Sequence, residues 1–163
     1  MNILVTGSSS GIGETLARSL VKAGHRVVLM ARRADMLNAL VEDLGGESRA
    51  LAAPGDVGVW EDCVRVVEAG LEAFGCLDAL VNAAGTWVAE PFVDAAPKDL
   101  QRFVQTDVTG ALQISRAILP ELRKTGGRMI HINGLQGHIP QRPPVLYATV
   151  ESAILGLCRS LRW

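Results

Sequence analysis

Thr6-Gly7-Ser8-Ser9-Ser10-Gly11-Ile12-Gly13 lies between an apolar run, Ile3 to Val5, and a stretch of helical periodicity that begins at residue 12. Glycines here let the backbone turn tightly after a strand and approach another group closely. The N–H groups that open a helix have no partner within it and carry its positive dipole end. Strand, glycine-rich turn and helix start in that order predict a pyrophosphate cradle; the alternative is a plain strand-helix turn.

The pattern on either side of that turn supports the cradle. Val27 to Met30, Ala50 to Ala52, Leu77 to Val81 and Met129 to Ile132 are short apolar runs without strict alternation, as strands covered on both faces require. Between them, helices are predicted over about 12–24, 34–44, 59–74, 98–124 and 147–162. Val150, Ala153, Ile154, Leu157 and Leu161 recur on one face of the last. Strand-helix alternation of this kind implies right-handed crossovers and an α/β, three-layer, doubly wound parallel sheet of about five strands. No repeat or linker interrupts residues 1–163, so one domain is expected. Gly134 to Pro144 reads as an irregular loop. The chain stops at Trp163 with the strand at 129–132 as an apolar sheet edge. A partner subunit would cover that edge, or the chain is part of a longer one.

Composition narrows the function. The 163 residues are 48% apolar and 20% charged, the balance of a globular protein with its own core. A net charge of -1 supplies no field for nucleic acid or an anionic membrane, so neither is expected as a partner. No run of 18 apolar residues occurs despite a mean hydropathy of +0.24, and Met1 stands one residue before the first strand. A cytoplasmic location is the expectation, with no leader peptide. Cys63, Cys76 and Cys158 include no C-x-x-C pair and are expected to be reduced, mostly buried thiols, with no metal bound through them. Lysine is scarce: only Lys22, Lys98 and Lys124.

Five motifs in order resemble the short-chain dehydrogenase/reductase family. They are the glycine-rich turn, Asp56-Val57 after the third strand, Asn82-Ala83-Ala84-Gly85 after the fourth, Asp107-Val108-Thr109-Gly110 on the long helix, and Tyr147 at the start of the last. The resemblance covers essentially the whole chain and stops before the family's final strands and substrate lid. It implies a Rossmann-like fold and a nicotinamide cofactor held at Gly7, Ser9, Ser10, Gly11, Ile12, Gly13, Asp56, Val57, Asn82, Ala83, Gly85 and Tyr147. The second strand ends in Ala31-Arg32-Arg33, where NAD-selective members carry an acidic residue. Arg32 and Arg33 suit a 2′-phosphate, so NADP(H) is favoured and NAD(H) remains possible; the alternative is two solvated arginines at a helix start.

The catalytic pattern is broken. The family uses a tyrosine, a lysine four residues later, a serine thirteen residues earlier and a helical asparagine. Here these positions hold Tyr147, Glu151, Gly134 and Asp107. A carboxylate in place of the lysine raises the tyrosine pKa where the family lowers it. Tyr147 and Asp107 are the candidate catalytic residues, with the aspartate able to hold a water; Tyr147 as a packing residue is the alternative. Asn133, Gln136, His138 and Arg142 are candidate substitutes for the serine, with His138 and Arg142 also readable as solvated loop residues. Asp107 and Glu151 attract no other metal ligands, so no metal is expected.

Two functions follow, with a third possibility. One is an NADP(H)-dependent oxidoreductase acting on a small carbonyl or alcohol. Another is a nucleotide-binding module or sensor without turnover. The third is a truncated subunit dependent on a partner. The resemblance implies a homo-oligomer paired through the helices at 98–124 and 147–162. Leu100, Phe103, Val104, Val108, Leu112 and Leu119 form a stripe on the first, expected to face the core before any interface.

Overall fold

A computed structural model describes residues 1–86, 92–139 and 145–161. Residues 140–144 of the proline-rich loop, Pro140, Arg142 and Pro144 among them, and Trp163 lie outside the described residues.

Five parallel strands form one sheet in the order β3-β2-β1-β4-β5: β1 (Asn2–Thr6), β2 (Arg26–Met30), β3 (Ala50–Ala52), β4 (Ala79–Asn82) and β5 (Arg128–His131). All four pairings are parallel. The chain runs outward from β1 to β3, then crosses back to β4. The C-terminal ends of β1 and β4 therefore meet at the switch point where doubly wound sheets bind ligands.

Successive strand residues point to opposite faces. Leu4, Val28 and Leu80 pack beneath α3 (Trp60–Phe74) and α5 (Gly110–Thr125), through Cys63, Val66, Val67, Ile114 and Ile118. Ile3, Val5, Val27, Leu29 and Val81 pack against α1 (Gly11–Lys22) and α2 (Ala34–Asp43), through Ala17, Val21, Leu37 and Leu40. Both faces of β1, β2 and β4 are covered, so these strands carry no solvent-facing polar side and read as apolar runs. The doubly wound three-layer reading holds.

Three expectations need correction. The helix predicted over 98–124 is three segments: α4 (Pro97–Val104), a π-helical turn (Gln105–Thr109) and α5. The wider turn brings Asp107 to a loop that an unbroken α-helix would not reach in the same way. Nor does the apolar stripe face the core as a unit. Phe103 is buried, whereas Val104 and Leu112 are 43% and 50% exposed; the inner face of α5 runs through Ala111, Ile114, Ile118 and Leu122. Finally, β5 is not covered on both faces. It ends the sheet, and Ile130 and Ile132 are 53% and 41% exposed.

Of the cysteines, Cys63 alone is buried, its thiol pushed up to about 12 chiefly by burial; Cys76 and Cys158 are partly exposed. α6 (Val145–Ser160) begins two residues earlier than predicted, so Tyr147 lies within its first turn. Phe103 and Val150 join α4 to α6, with Tyr147 packed against them; the Phe103 and Tyr147 ring centroids are 6.2 Å apart.

A candidate dinucleotide cleft

The turn after β1 is shaped by contacts that only glycine permits. Gly7 has φ +66, and a Cβ there would fall 2.5 Å from the Ala83 carbonyl oxygen. A Cβ on Gly13 would fall 2.4 Å from the Gly7 carbonyl oxygen. Gly13 is thus packed beneath the turn and does not face a ligand; its role is to let α1 close on β1. Gly11 has φ +58 and open space where a Cβ would stand. Ser10 stands at the N-cap of α1 in extended geometry, and its side chain accepts no hydrogen bond from the N–H groups of the first turn. The helix start therefore presents its N–H groups toward a cleft of about 350 Å³ lined by Gly7, Ser9, Ser10 and Ile12. Open N–H groups at a helix start are chemically suited to an anion such as a diphosphate.

Arg32, Arg33, Asp56, Val57, Ala83 and Gly85 line the same cleft. Arg33 reaches across it: its guanidinium donates to Ser9 Oγ and Ser10 Oγ, each at 2.9 Å. Arg32 stands 3.9 Å from Asp56, an exposed and weak ion pair. Asp56 accepts from the Gly58 N–H at 2.8 Å, fixing the turn after β3. The Val57 side chain is buried against Gly110, so only its main chain is available to the cleft. The structure thus brings these residues to one cleft, with Val57 serving the core as well.

Asn82 supports the sheet rather than reaching outward. Its Oδ1 accepts from Thr6 Oγ1, and Thr6 Oγ1 in turn accepts from the Ala83 and Ala84 N–H groups. Asn82 Nδ2 lies 3.2 Å from His131 Nδ1, and His131 Nε2 lies 3.3 Å from Ser115 Oγ, which donates to the Ala111 carbonyl. Since Asn82 Nδ2 only donates, His131 Nδ1 must accept, leaving the proton on Nε2. Burial pushes the His131 pKa below its usual range, which favours the neutral ring this chain of bonds needs. His131 and Ser115 were not legible as site residues, because nothing along the chain links positions 6, 82, 115 and 131.

Beyond Ala84 the cleft continues into a cavity of about 270 Å³ lined by Thr86, Asp107, Tyr147 and Glu151 among apolar side chains. Ile12 and residues 83–86 border both spaces, so the two adjoin. Asp107 is tied to the loop after β4. Its two oxygens accept from the Thr86 N–H at 3.1 Å and from Thr86 Oγ1 at 2.7 Å. Burial raises its pKa, the Thr86 bonds oppose that, and Glu151 adds to the rise.

Glu151 is only 7% exposed, and its Oε2 accepts the Gly134 N–H at 2.6 Å. A Cβ on Gly134 would lie 3.1 Å from that carboxyl group. The Tyr147 pKa is raised, first by burial, then by the negative charges of Glu151 and Asp107 and a hydrogen bond to Glu151. The expected reversal of the tyrosine's electrostatics is therefore present in the geometry.

Of the candidate substitutes for the serine, Asn133, Gln136 and His138 do not line this cavity, and Arg142 lies outside the described residues. Asn133 Nδ2 donates to the Glu151 carbonyl at 3.1 Å, and its buried Oδ1 has no partner among the described residues. Gln136 lies in a short 3-10 turn (Leu135–Gly137), its Oε1 2.7 Å from where a Gly134 Cβ would stand. His138 is exposed. No group of three metal-binding side chains occurs among the described residues.

Comparison with known proteins agrees with this geometry. Residues 1–163 match the family described as short chain dehydrogenase. An 11-beta-hydroxysteroid dehydrogenase-like 3 of Arabidopsis thaliana is 33% identical over 163 residues, covering 98% of this chain and 53% of that protein. The L-sorbose reductase of Gluconobacter frateurii, solved with NADPH and L-sorbose, superposes with a TM-score of 0.89 at 32% identity, over 98% of this chain and 62% of that one. An actinorhodin polyketide ketoreductase variant solved with NADPH gives 0.90 at 28% identity, over 98% and 63%. The chain spans about half the length of the curated relative it matches. With the glycine turn, the switch point and a family match along its entire length, this chain belongs to the short-chain dehydrogenase family.

Proposed function

We propose that residues 1–163 act as one dinucleotide-binding domain for NADP(H), with NAD(H) a weaker ligand, and that their redox chemistry on a small carbonyl or alcohol is slow. The observation that carries this reading is the continuity of the cleft from the α1 N-terminus to Tyr147. Arg33, with Arg32 beside it, lies where a 2′-phosphate on the adenosine ribose would be paired, and no carboxylate follows Met30 to repel it. Asp56 and the main chain of Val57 border the adenosine side. Ala83 and Gly85 line the stretch between, and Asn82 supports them through Thr6.

The cofactor, when bound, supplies or accepts a hydride. What this chain contributes to the accompanying proton transfer is poor. The Tyr147 phenol is kept protonated by burial and by Glu151, and the hydrogen bond to Glu151 competes with a substrate oxygen. The Gly134 position offers no hydroxyl to polarise a carbonyl. Loss of such a donor elsewhere costs about 3–4 kcal/mol of transition-state stabilisation. Asp107 acts through Thr86, as a clamp on the loop after β4.

A second reading, a nucleotide-binding module without turnover, is favoured by Glu151 itself. NADPH oxidation with a panel of ketones and aldehydes, compared with Tyr147→Phe, separates the two. Slow turnover that vanishes in Tyr147→Phe supports the enzyme. Calorimetric NADPH binding with identical, background rates in both proteins supports the module. A protein silent to NADPH in calorimetry overturns both. Association into a homo-oligomer through the exposed Val104 and Leu112 side, and a cytoplasmic location, belong to the same proposal; light scattering tests the first.

A further inference from the structure

The cavity at the end of the cleft has an unusual charge balance. Two carboxyl groups, Asp107 and Glu151, border it together with a phenol, and no lysine, arginine or histidine of the described residues lines it. Both act as hydrogen-bond acceptors, Asp107 from Thr86 and Glu151 from the Gly134 N–H. Four lining residues, Ile12, Ile132, Val150 and Ile154, are aliphatic. Asn82 and Thr86 are its other polar side chains, both neutral, so the two carboxyl groups set the sign of the charge there, with Glu151 buried where water screens it less.

This charge has a consequence for any dinucleotide whose phosphates lie at the α1 start. Its two redox forms differ, at the nicotinamide ring, by one positive charge, carried only by the oxidised form. We infer that Asp107 and Glu151 make this cleft selective for the oxidised cofactor, NADP⁺ over NADPH, so that the chain reads the redox state of the pool rather than its size. The inference rests on the dinucleotide reading above and adds a direction to it. The family's lysine would oppose such a preference; here the same helix turn carries the opposite charge.

Glu151 is suited to this part because it is fixed. The Gly134 N–H holds Oε2, and the backbone carbonyl of the same residue accepts from Asn133 Nδ2. With only 7% of the residue exposed, the carboxylate is held beside the cavity and away from solvent. A ligand bearing positive charge relieves the repulsion between Asp107 and Glu151, whereas a neutral ring leaves it in place.

Calorimetric titration of the full chain with NADP⁺, with NADPH and with adenosine 2′,5′-bisphosphate, which lacks the nicotinamide, tests the inference. NADP⁺ should bind at least tenfold more tightly than NADPH, equivalent to about 1.4 kcal/mol. In Glu151→Gln with Asp107→Asn the ratio should fall to within threefold, with the bisphosphate affinity unchanged. Should the double variant fail to fold, Glu151→Gln alone keeps the acceptor for Gly134 and should lower the ratio by at least threefold. Equal binding of the two forms by the native chain, tighter binding of NADPH, or a preference that survives the substitutions would overturn the inference and leave the dinucleotide reading intact. Failure of all three ligands to bind would overturn that reading and the inference with it.

Discussion

Gly134 and Glu151 are complementary: the N–H of one is held by the carboxylate of the other at 2.6 Å, and a Cβ on residue 134 would crowd that carboxylate at 3.1 Å and Gln136 Oε1 at 2.7 Å. The two departures from the family's serine and lysine are thus one local arrangement, linking the loop after β5 to α6.

That coupling predicts non-additive stability. Gly134→Ser places its Cβ against Glu151 and Gln136 and should cost about 1–3 kcal/mol. Glu151→Lys removes the acceptor of the Gly134 N–H and should cost a similar amount. The double variant should be more stable than the sum of the two by at least about 1 kcal/mol. Urea unfolding of the four proteins gives the cycle directly; strict additivity would show that the two positions do not share a packing constraint.

Tyr147 is the only tyrosine in the chain, so its ionisation can be followed by tyrosinate absorbance without assignment. It should titrate above the ordinary value of 10, since burial and the Glu151 and Asp107 charges both favour the phenol. Glu151→Gln should move the midpoint down, and Glu151→Lys further still. A midpoint indifferent to both substitutions would remove Glu151 as a cause.

His131 should give stability an acid-sensitive component. Its folded pKa lies below the ordinary 6.5, so between those two values the unfolded chain binds more protons than the folded one. Stability from this residue is complete above about pH 6.5 and declines as the pH falls toward the folded value. Protonation would also turn the Nδ1 acceptor into a donor facing the Asn82 Nδ2 donor. His131→Gln should lower stability at neutral pH yet flatten its dependence between about pH 7 and about pH 5. An unchanged slope would place the acid sensitivity elsewhere.

Asp107 works in the opposite sense. Its folded pKa is raised above 3.8, so in the window just above that value the folded chain holds the extra proton, and stability falls as the pH rises through it. Asp107→Asn should remove that feature while keeping one acceptor for Thr86, and Thr86→Val should weaken the clamp without altering the charge.

The glycines of the leading turn separate folding from binding. Gly13→Ala drives a Cβ into the Gly7 carbonyl and should destabilise the chain by about 2–4 kcal/mol. Gly11→Ala meets no atom, so its cost is the left-handed backbone alone, roughly 1–2 kcal/mol. Thermal unfolding with and without NADPH should therefore show a much larger loss of intrinsic stability in the first.

Much of this architecture is written locally. The apolar runs at β1, β2 and β4 and the glycine turn are contiguous signals, and each falls within a residue or two of its observed place. Asp107 and Tyr147 were found through the family's spacing, and Glu151 and Gly134 through departures from it. What escaped is nonlocal. No residue type announces the π-helical turn that carries Asp107 to Thr86. The Thr6–Asn82–His131–Ser115 chain exists only once β1, β4, β5 and α5 stand side by side. The stripe on 98–124 misled because a single apolar face was assumed across a helix whose phase changes midway.

Along β5, main-chain donors and acceptors on the outer side find no neighbouring strand among the described residues, beside two bare isoleucines. Such a rim is a template: any extended, greasy peptide can zip onto it. Residues 1–163 produced on their own should self-associate through that rim in concentrated solution, and Ile130→Lys is the smallest change expected to keep them dispersed.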